Sequence, residues 1–253
     1  MCSVSSGLLS VAPGVAGWRR CDERFVAMPA LNSPDATLLR QIPLFRTLDA
    51  AQLTAVQRVT IVRAYRRGQP LFFQGDPGDC LFLLLAGRVR IFVSSPDGRE
   101  ATVRVYGPGS SVGELAVLDG QPRSASAVAL DPLTTLVLAR ENFLQLLAGS
   151  RAITERVLAL LAERVRYTTS YSEQLAFLSA PGRIARALLE LAGVEGEVQA
   201  RLELSQSELG TFAGTTREWS NRALQDFAAA GLITIERRAI TILDRAGLER
   251  RMV

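Results

Sequence analysis

The chain has 253 residues, of which 48% are hydrophobic, so it is long enough for one large domain or two smaller ones, each with its own core. All 29 basic residues are Arg, and the sequence contains neither Lys nor His. Without His, it lacks the commonest haem and zinc ligand and the usual general base, which argues against an enzyme. Its three Cys, at positions 2, 21 and 80, are too few and too widely spaced for a disulfide framework or an iron–sulfur cluster. We therefore expect no metal, no haem and no iron–sulfur cluster.

Charge and hydropathy say little about partners. The formal net charge is +4, but the residues from Gly182 onward contain ten Arg and ten acidic side chains, so that segment is neutral and the excess lies upstream. No run of 18 apolar residues occurs, and the first 17 residues lack a basic start and a cleavage site of the Ala-x-Ala type. We expect a soluble cytoplasmic protein that does not enter a membrane.

The chain begins with a stretch that has no sustained periodicity. Residues 1–37 are interrupted by Pro and Gly and predict a flexible leader. Residues 38–150 follow another pattern: an amphipathic helix capped by Asp49, then short β-rich segments separated by Gly, Pro and Asp, then a helix at 141–149. About eight strands at this spacing predict an antiparallel barrel or sandwich.

Residues 113–126, GELAVLDGQPRSAS, concentrate groups that bind anions. Gly113 allows close approach of the backbone to a ligand, and the first N–H groups of the helical turn that follows are free to face a phosphate. Glu114 supplies an acceptor, Arg123 a guanidinium that matches two phosphate oxygens, and Ser124 a hydroxyl donor. The stretch can hold a sugar hydroxyl and a phosphate. The alternative is an ordinary hairpin connection with a solvated salt bridge.

Residues 151–178 contain no Pro or Gly and predict a long helix. One stripe of this helix has the alternating spacing of three and four that is typical of a coiled coil, at Leu158, Leu161, Val165, Thr168, Ser172 and Leu175. A lone helix would leave the stripe exposed, so it predicts a parallel homodimer.

The stripe turns polar where Thr168 and Thr169 stand next to each other. They project about 100° apart, so one hydroxyl can face a pocket of its own subunit and the other a pocket of the partner. The alternative is that the polar positions only set the register of the dimer. Residues 179–182, Ser-Ala-Pro-Gly, are predicted to break the helix and to form a hinge.

The segment that follows, 183–253, has the spacing of a helix–turn–helix. Ser205 and Glu208 form a predicted capping box at the start of one helix, Gly214 stands at a turn, and Thr216 caps a second helix. A predicted hairpin then closes the domain as a wing. Two solvated surface helices are the alternative.

The stretch 113–126 resembles the phosphate-binding cassette of cyclic-nucleotide-binding domains, and the resemblance covers the whole block of predicted strands. It implies that Glu114 accepts from the ribose 2′-hydroxyl and that Arg123 pairs with the cyclic phosphate. It also implies backbone or hydroxyl contacts from Gly113, Leu115 and Ser124.

Two further stretches, TTSYSEQLAFLSAPGRIARALLELA from residue 168 and TTREWSNRAL from residue 215, resemble the CRP/FNR superfamily of transcription regulators, in particular its cAMP receptors. The resemblance implies an α+β chain with an N-terminal antiparallel β-roll at 38–150, a dimerisation helix at 151–178 and a C-terminal winged helix–turn–helix at 183–253. It implies cAMP as allosteric ligand, with Thr168 and Thr169 meeting the adenine from the two subunits.

The same resemblance implies a transcription regulator, expected to be an activator, that binds double-stranded DNA as a homodimer, with RNA polymerase as a further partner. Arg217 and Arg222 would each bind a guanine edge bidentately and Glu218 would accept from cytosine N4, at a palindromic site similar to TGTGA. Further DNA contacts are expected from Gln206, Thr216, Asn221, Arg237 and Arg238. Two alternatives stay open: a regulator of this fold that responds to redox state, a gas or no ligand, and a regulatory subunit that uses the nucleotide domain alone.

Overall fold

The structure, a computed structural model, describes residues 36–46, 48–98, 100–193, 200–236 and 239–252. Its contacts divide the chain into two compact units. The first consists of the described residues up to Val89 together with Tyr106–Ser124 and Val128–Leu160, and the second consists of Arg90–Val105, Ala125–Ala127 and the described residues from Leu161 onward. The predicted leader lies outside the described residues, apart from positions 36 and 37, which begin a short helix.

The first unit begins with three short helical segments: α1 at Ala36–Arg40, a 3-10 turn at Pro43–Phe45 and α2 at Ala50–Arg58. Asp49 caps α2, because its Oδ1 accepts a hydrogen bond from the Gln52 backbone N at 2.8 Å. Gln52 Oε1 accepts in return from the Asp49 backbone N at 3.1 Å. This reciprocal capping box satisfies two N–H groups that the helix itself leaves without acceptors, and it confirms the cap predicted at Asp49.

Eight strands follow: β1 (Thr60–Tyr65), β2 (Pro70–Phe72), β3 (Cys80–Ala86), β4 (Val89–Ser94), β5 (Glu100–Tyr106), β6 (Ser111–Val112), β7 (Ser126–Ala129) and β8 (Leu133–Ala139). One sheet has the strand order β1-β8-β3-β6, and the other has the order β2-β7-β4-β5. In the first sheet, β8 runs antiparallel to β1 and β3, and Leu81 lies opposite Leu138. The prediction of an antiparallel β architecture is confirmed.

The continuous apolar run in β3 is explained by its position. Strand β3 lies between β8 and β6, and Leu81–Leu84 are all buried. A strand that is covered on both faces does not alternate polar and apolar residues, because neither face meets water. Helix α3 (Glu114–Asp119) and helix α4 (Arg140–Gly149) pack against this sheet and bury Val117 and Phe143.

The predicted long helix is α5, at Arg151–Phe177. In the predicted coiled-coil stripe, Leu158 and Val165 are 60% and 66% exposed, whereas the side chain of Leu175 lies outside the described residues. The break after α5 is narrower than the predicted 179–182, because helix α6 already begins at Ala180 and extends to Leu191. Ser179 caps α6, and Pro181 fits the first turn, where a helix needs no N–H.

The second unit also contains β9 (Arg201–Leu202), α7 (Gln206–Phe212), α8 (Arg217–Ala229), β10 (Ile233–Glu236), β11 (Ala239–Ile242) and α9 (Arg245–Arg250). The sheet order is β10-β11-β9, with Ile233 opposite Ile242. Apolar side chains from α6, α7, α8, the sheet and α9 form one core, which includes Ile184, Leu188, Leu209, Leu224, Phe227, Ile240 and Leu248.

Helices α7 and α8 form the predicted helix–turn–helix. The predicted capping box is present, since Ser205 Oγ accepts from Glu208 N at 3.2 Å and Glu208 Oε2 accepts from Ser205 N at 2.6 Å. The turn contains Gly214 with a φ of 58°, in the left-handed region that favours glycine. The helices approach closely where Gly210 meets Ser220, because a Cβ on Gly210 would lie 2.9 Å from Ser220 Oγ.

Replacing Ser205 with Ala tests the cap of α7. We expect the free energy of unfolding to fall by about 1 kcal/mol, because the Glu208 backbone N–H loses its acceptor. Urea denaturation followed by circular dichroism measures the change. Ser205→Asp is the matched control, since Asp also caps helices and should leave stability nearly unchanged. Equal losses in both variants would contradict the assignment of the cap.

Candidate functional site

The first candidate site is built around Gly113, which precedes α3 as its N-cap. Gly113 has a φ of 84°, in the left-handed region where a residue with a Cβ is strained. A Cβ at this position would also overlap the Arg123 guanidinium. Two independent constraints therefore require glycine here: the turn from β6 into α3, and the space that Arg123 occupies.

The Arg123 side chain is only 4% exposed. Its Nη1 donates to the Gly113 carbonyl at 2.7 Å, and its Nη2 donates to the Cys80 carbonyl at 2.5 Å. The guanidinium carbon lies 4.3 Å from the centroid of the Phe72 ring and 5.8 Å from that of Phe82. The guanidinium is thus held by two carbonyls and two aromatic faces, and this combination offsets the cost of burying a charge.

The Glu114 side chain is 7% exposed and interacts electrostatically with Arg123. Burial raises the pKa of Glu114, whereas its own backbone N–H and the Arg123 charge act in the opposite direction. Burial has the largest effect because a carboxylate loses hydration in a low-dielectric environment. The site therefore joins a buried cation to a buried acid, an arrangement that can bind a ligand carrying both an anionic group and a hydroxyl donor.

The backbone of Arg123 is fixed by the turn after β2. Gly75 N donates to the Arg123 carbonyl at 2.9 Å, and Arg123 N donates to the Asp76 carbonyl at 2.8 Å. The Asp76 carboxylate accepts from Phe73 N at 3.0 Å and closes the turn. These bonds set the direction in which Arg123 leaves the chain.

The structure therefore brings Gly113, Glu114 and Arg123 together, as the sequence predicted for a single site. Leu115 and Ser124 are exposed. Sequence reasoning missed Phe72, Phe82 and the Cys80 carbonyl. Their contacts with Arg123 depend on the pairing of distant strands, and no local spacing signals them.

Thr168 and Thr169 lie on α5 in the second unit, and both are exposed. Thr168 Oγ1 donates to the Arg164 carbonyl at 2.9 Å, and Thr169 Oγ1 donates to the Val165 carbonyl at 3.1 Å. Each hydroxyl therefore uses its proton within its own helix, and its oxygen lone pairs can accept from a ligand.

The second candidate site is the exposed face of α8. Thr216 Oγ1 accepts from the Trp219 backbone N at 3.3 Å, which confirms Thr216 as the cap of this helix. The helix packs Ala223, Leu224 and Phe227 into the core, so its opposite face is polar. The predicted DNA contacts Arg217, Glu218, Asn221 and Arg222 all lie on that exposed face.

Two features of this face were not expected. Trp219 is 46% exposed, and the Arg222 guanidinium carbon lies 5.7 Å from the centroid of its ring. Ser220 is fully buried and donates to the Thr216 carbonyl at 3.0 Å. The small Ser220 side chain therefore allows α7 and α8 to approach, and Trp219 contributes an aromatic surface beside a guanidinium.

Glu218 keeps its negative charge on this face. Its pKa is lowered by its own backbone N–H, by the Thr216 hydroxyl and by the Arg217 charge, so Glu218 stays an acceptor at neutral pH.

The other predicted DNA contacts are placed only in part. Gln206 begins α7 and is partly buried. Arg237 and Arg238, predicted at the tip of the wing, lie outside the described residues.

Within the described residues, no group of three or more His, Cys, Asp or Glu side chains could hold a metal ion. None of the described helices is both long and apolar enough to cross a membrane.

Comparison with known families assigns both candidate sites to recognised domains. The family profile described as cyclic nucleotide-binding domain matches residues 62–150, which include Gly113, Glu114 and Arg123. The profile described as Crp-like helix-turn-helix domain matches residues 182–251, which include α7 and α8.

Similar proteins match most of the chain. A CRP-like cAMP-activated global transcriptional regulator of Mycobacterium tuberculosis is 32% identical over 85% of this chain and 98% of its own length. The cyclic AMP receptor protein of Thermus thermophilus is 34% identical over 82% of this chain and 95% of its own. The solved structure of the c-di-GMP-responsive global regulator CLP of Xanthomonas campestris is 25% identical, covers 77% of this chain and 99% of its own, and has a TM-score of 0.67. The chain therefore belongs to the CRP/FNR superfamily of transcription regulators, which bind DNA and are not enzymes.

Proposed function

We propose that this regulator is controlled by cAMP, which binds between Glu114 and Arg123 and promotes binding of a homodimer to a palindromic DNA site similar to TGTGA. The observation that carries the proposal is the buried Arg123 guanidinium beside the buried Glu114 carboxyl. Arg123 would pair with the cyclic phosphate, and Glu114 would accept from the ribose 2′-hydroxyl. Gly113, Leu115 and Ser124 would add backbone or hydroxyl contacts.

The composition of the cassette favours a ligand with one phosphate. Arg123 is the single basic residue between positions 113 and 126. A cyclic mononucleotide offers one phosphate and one free ribose hydroxyl, which correspond to one guanidinium and one carboxylate. A cyclic dinucleotide has two phosphates and would call for a second cation. The relatives from M. tuberculosis and T. thermophilus are named for cAMP, in agreement with this reasoning.

The proposed dimer would form along α5. Leu158 and Val165 are large apolar side chains that this helix leaves exposed, and a second copy of the helix would bury them. Thr168 and Thr169 stand further along the same helix and, in the dimer, would meet the adenine from the two subunits.

DNA recognition would use the exposed face of α8. Arg217 and Arg222 would bind guanine edges, Glu218 would accept from cytosine N4, and Gln206, Thr216, Asn221, Arg237 and Arg238 would add contacts. We assign a nucleotide-binding domain to 38–150, the dimerisation helix to 151–178, a hinge to 179–182 and the DNA-binding domain to 183–253. The proposed setting is the cytoplasm, where the protein would activate transcription by RNA polymerase.

A regulator of the same fold that responds to another signal, or to none, is the second candidate. The contacts of Arg123 favour this second candidate. Two backbone carbonyls and two aromatic rings already hold the guanidinium, so it has partners without a cyclic phosphate. The Xanthomonas relative, which is named for c-di-GMP, belongs to this class.

Replacing Arg123 with Leu tests the nucleotide site. We expect the affinity for cAMP to fall by at least about a hundredfold, because two hydrogen bonds to a charged group are lost. Isothermal titration with cAMP and with cGMP measures this affinity. Arg66→Leu, at an exposed position of the same unit, is the control and should bind normally. Undiminished binding by the Arg123 variant would contradict the assignment of the cassette.

Replacing Glu218 with Ala tests base recognition. We expect discrimination at one base pair of each half-site to fall by about 1 to 3 kcal/mol, because a base-specific acceptor is lost. Mobility shifts with palindromic probes that carry each of the four bases at that position measure the effect. Asp226→Ala, on the same exposed helix face, should preserve the preference. A uniform loss of affinity on all probes would rule out base recognition by Glu218.

Trp219 provides a direct optical test of DNA binding by α8. The chain contains two Trp, so Trp18→Phe leaves Trp219 as the single one. We expect palindromic DNA to change the emission of Trp219, because its half-exposed ring would lose contact with water. Scrambled DNA of equal length is the control. Unchanged emission under conditions where a mobility shift shows binding would place α8 away from the DNA.

A further inference from the structure

The second unit contains a cavity of about 560 Å³ that is separate from both sites described above. It lies between β5, α5, α6 and α9, and its lining includes Thr102–Val105, Tyr167, Tyr171 and Met252. None of the cassette residues lines it, and neither do the predicted DNA contacts. Its volume falls within the range of about 300 to 1,000 Å³ that is typical of small-molecule sites.

One wall of the cavity is flat and aromatic. The rings of Tyr167 and Tyr171 are stacked, with centroids 6.4 Å apart and an interplanar angle of 11°. Their hydroxyls donate to the Val103 and Thr102 carbonyls, each at 3.2 Å. Burial raises the pKa of Tyr167 to about 12, so its hydroxyl keeps its proton and its bond to β5 at neutral pH. The wall is therefore held in place before any ligand arrives.

Thr102, one of the lining residues, carries a hydroxyl that lacks a partner among the described residues. Thr102 is only 3% exposed, and no hydrogen bond to its hydroxyl exists within the described part of the chain. A buried hydroxyl without a partner is unfavourable, so such groups are rare in folded proteins. The Thr102 hydroxyl is covered by protein atoms, so a polar atom of a ligand would reach it only after the Thr102 side chain turns toward the cavity.

The charged side chains of the lining favour an anion. Arg104, Arg186 and Arg245 outnumber Glu190 and Glu249. Arg186 is paired with Glu190 at 2.8 Å, and Arg104 is paired with Glu163, which lies outside the lining, at 3.1 Å. Arg245 Nη2 donates to the Gly193 carbonyl at 3.0 Å, and its Nε lies 3.9 Å from Glu249 Oε1, beyond hydrogen-bonding distance. Arg245 is thus the lining guanidinium whose charge is least neutralised by a carboxylate, and its remaining N–H groups can bind an added negative group.

From this lining we propose that the cavity is a second ligand site, which binds a small organic anion with a flat aromatic body. The body would lie against Tyr171 and the part of the Tyr167 ring that the Arg104 guanidinium, 4.1 Å from its centroid, leaves uncovered. A polar atom would meet the Thr102 hydroxyl once that side chain turns, and the anionic group would pair with Arg245. Leu189, Phe212 and Met252 provide apolar surface for the rest of the ligand.

The site is connected to the helix–turn–helix through shared residues. Ala187 and Leu189 line the cavity and also belong to the core that supports α7 and α8. Phe212, at the end of α7, lines the cavity and packs against the same core. A bound ligand would stabilise this packing by linkage. An effect on DNA affinity follows only if the proposed function holds, whereas ligand binding itself does not depend on it.

Binding is tested on the full chain with two matched probes. Anilinonaphthalene sulfonate is an aromatic anion that fluoresces in apolar surroundings, and phenylnaphthylamine has the same rings without the sulfonate. We expect saturable binding of the anionic probe to one site per chain, with weaker binding of the neutral probe. Saturating cAMP should not displace either probe. Displacement of the bound probe by cAMP would assign it to the cassette and overturn the proposal.

Two cavity variants and two matched controls locate the probe. Thr102→Val should weaken binding of the anionic probe by about two- to tenfold, the effect of one hydrogen bond. Arg245→Gln should lower its affinity toward that of the neutral probe. Thr241→Val in the wing and Arg250→Gln, which lies outside the lining on α9, should bind both probes normally. Equal binding by all four variants would overturn the proposal.

Two further measurements distinguish a loss of probe binding from a loss of folding. Thermal unfolding shows whether each variant is folded, and Val105→Phe, at a half-buried position of the lining, replaces Thr102→Val if that variant is not. Val105→Phe should reduce binding by about tenfold, because the larger side chain would occupy space proposed for the ligand, and forcing both into that space causes strain. Probe binding by a chain that fails to bind any DNA would refute the proposed function and leave this inference standing.

Discussion

The burial of one guanidinium, that of Arg123, is the constraint on which the first candidate site depends. A buried charge without partners is strongly unfavourable, and here it is stabilised by the carbonyls of Gly113 and Cys80 and by the ring faces of Phe72 and Phe82. These contacts in turn constrain the residues next to Arg123. Gly113 has to be glycine, and Glu114 is drawn into the interior beside a positive charge, which counteracts the rise in its pKa. Burial of the Arg123 guanidinium therefore influences both the pKa of Glu114 and the conformation of the chain at Gly113.

In the second unit, one side of α8 packs closely against the core, and the opposite side is exposed to solvent. Gly210 and Ser220 allow α7 and α8 to approach, and Leu224 and Phe227 anchor α8 in the core. The positions between them are consequently exposed and polar. Trp219 is the exception, and its contact with Arg222 gives that guanidinium an aromatic neighbour on a helix that is otherwise solvated.

Structural features that depend on residues close together in the sequence could be predicted. Features that depend on contacts between distant parts of the chain could not. The capping boxes at Asp49 and Ser205 involve residues three positions apart, so the sequence alone determines them. The strands and the turn at Gly214 were recognised for the same reason. The hinge at 179–182 stays a prediction, and α6 already begins at Ala180, because Pro is as compatible with a first helical turn as with a loop. The aromatic partners of Arg123 and the contact between Tyr167 and β5 require strands and helices far apart in sequence to meet, and no periodicity reports them.

The two carbonyls that hold Arg123 belong to separate pieces of backbone: Cys80 begins β3, and Gly113 precedes α3. The guanidinium thus acts as a crosslink between the start of a strand inside the sheet and the start of a helix. An anion that draws it away from these carbonyls removes the crosslink at the same moment. If the proposed cyclic nucleotide binds in this way, its entry and the loosening of the helix start would be one event, and the kinetics of either process would report on the other.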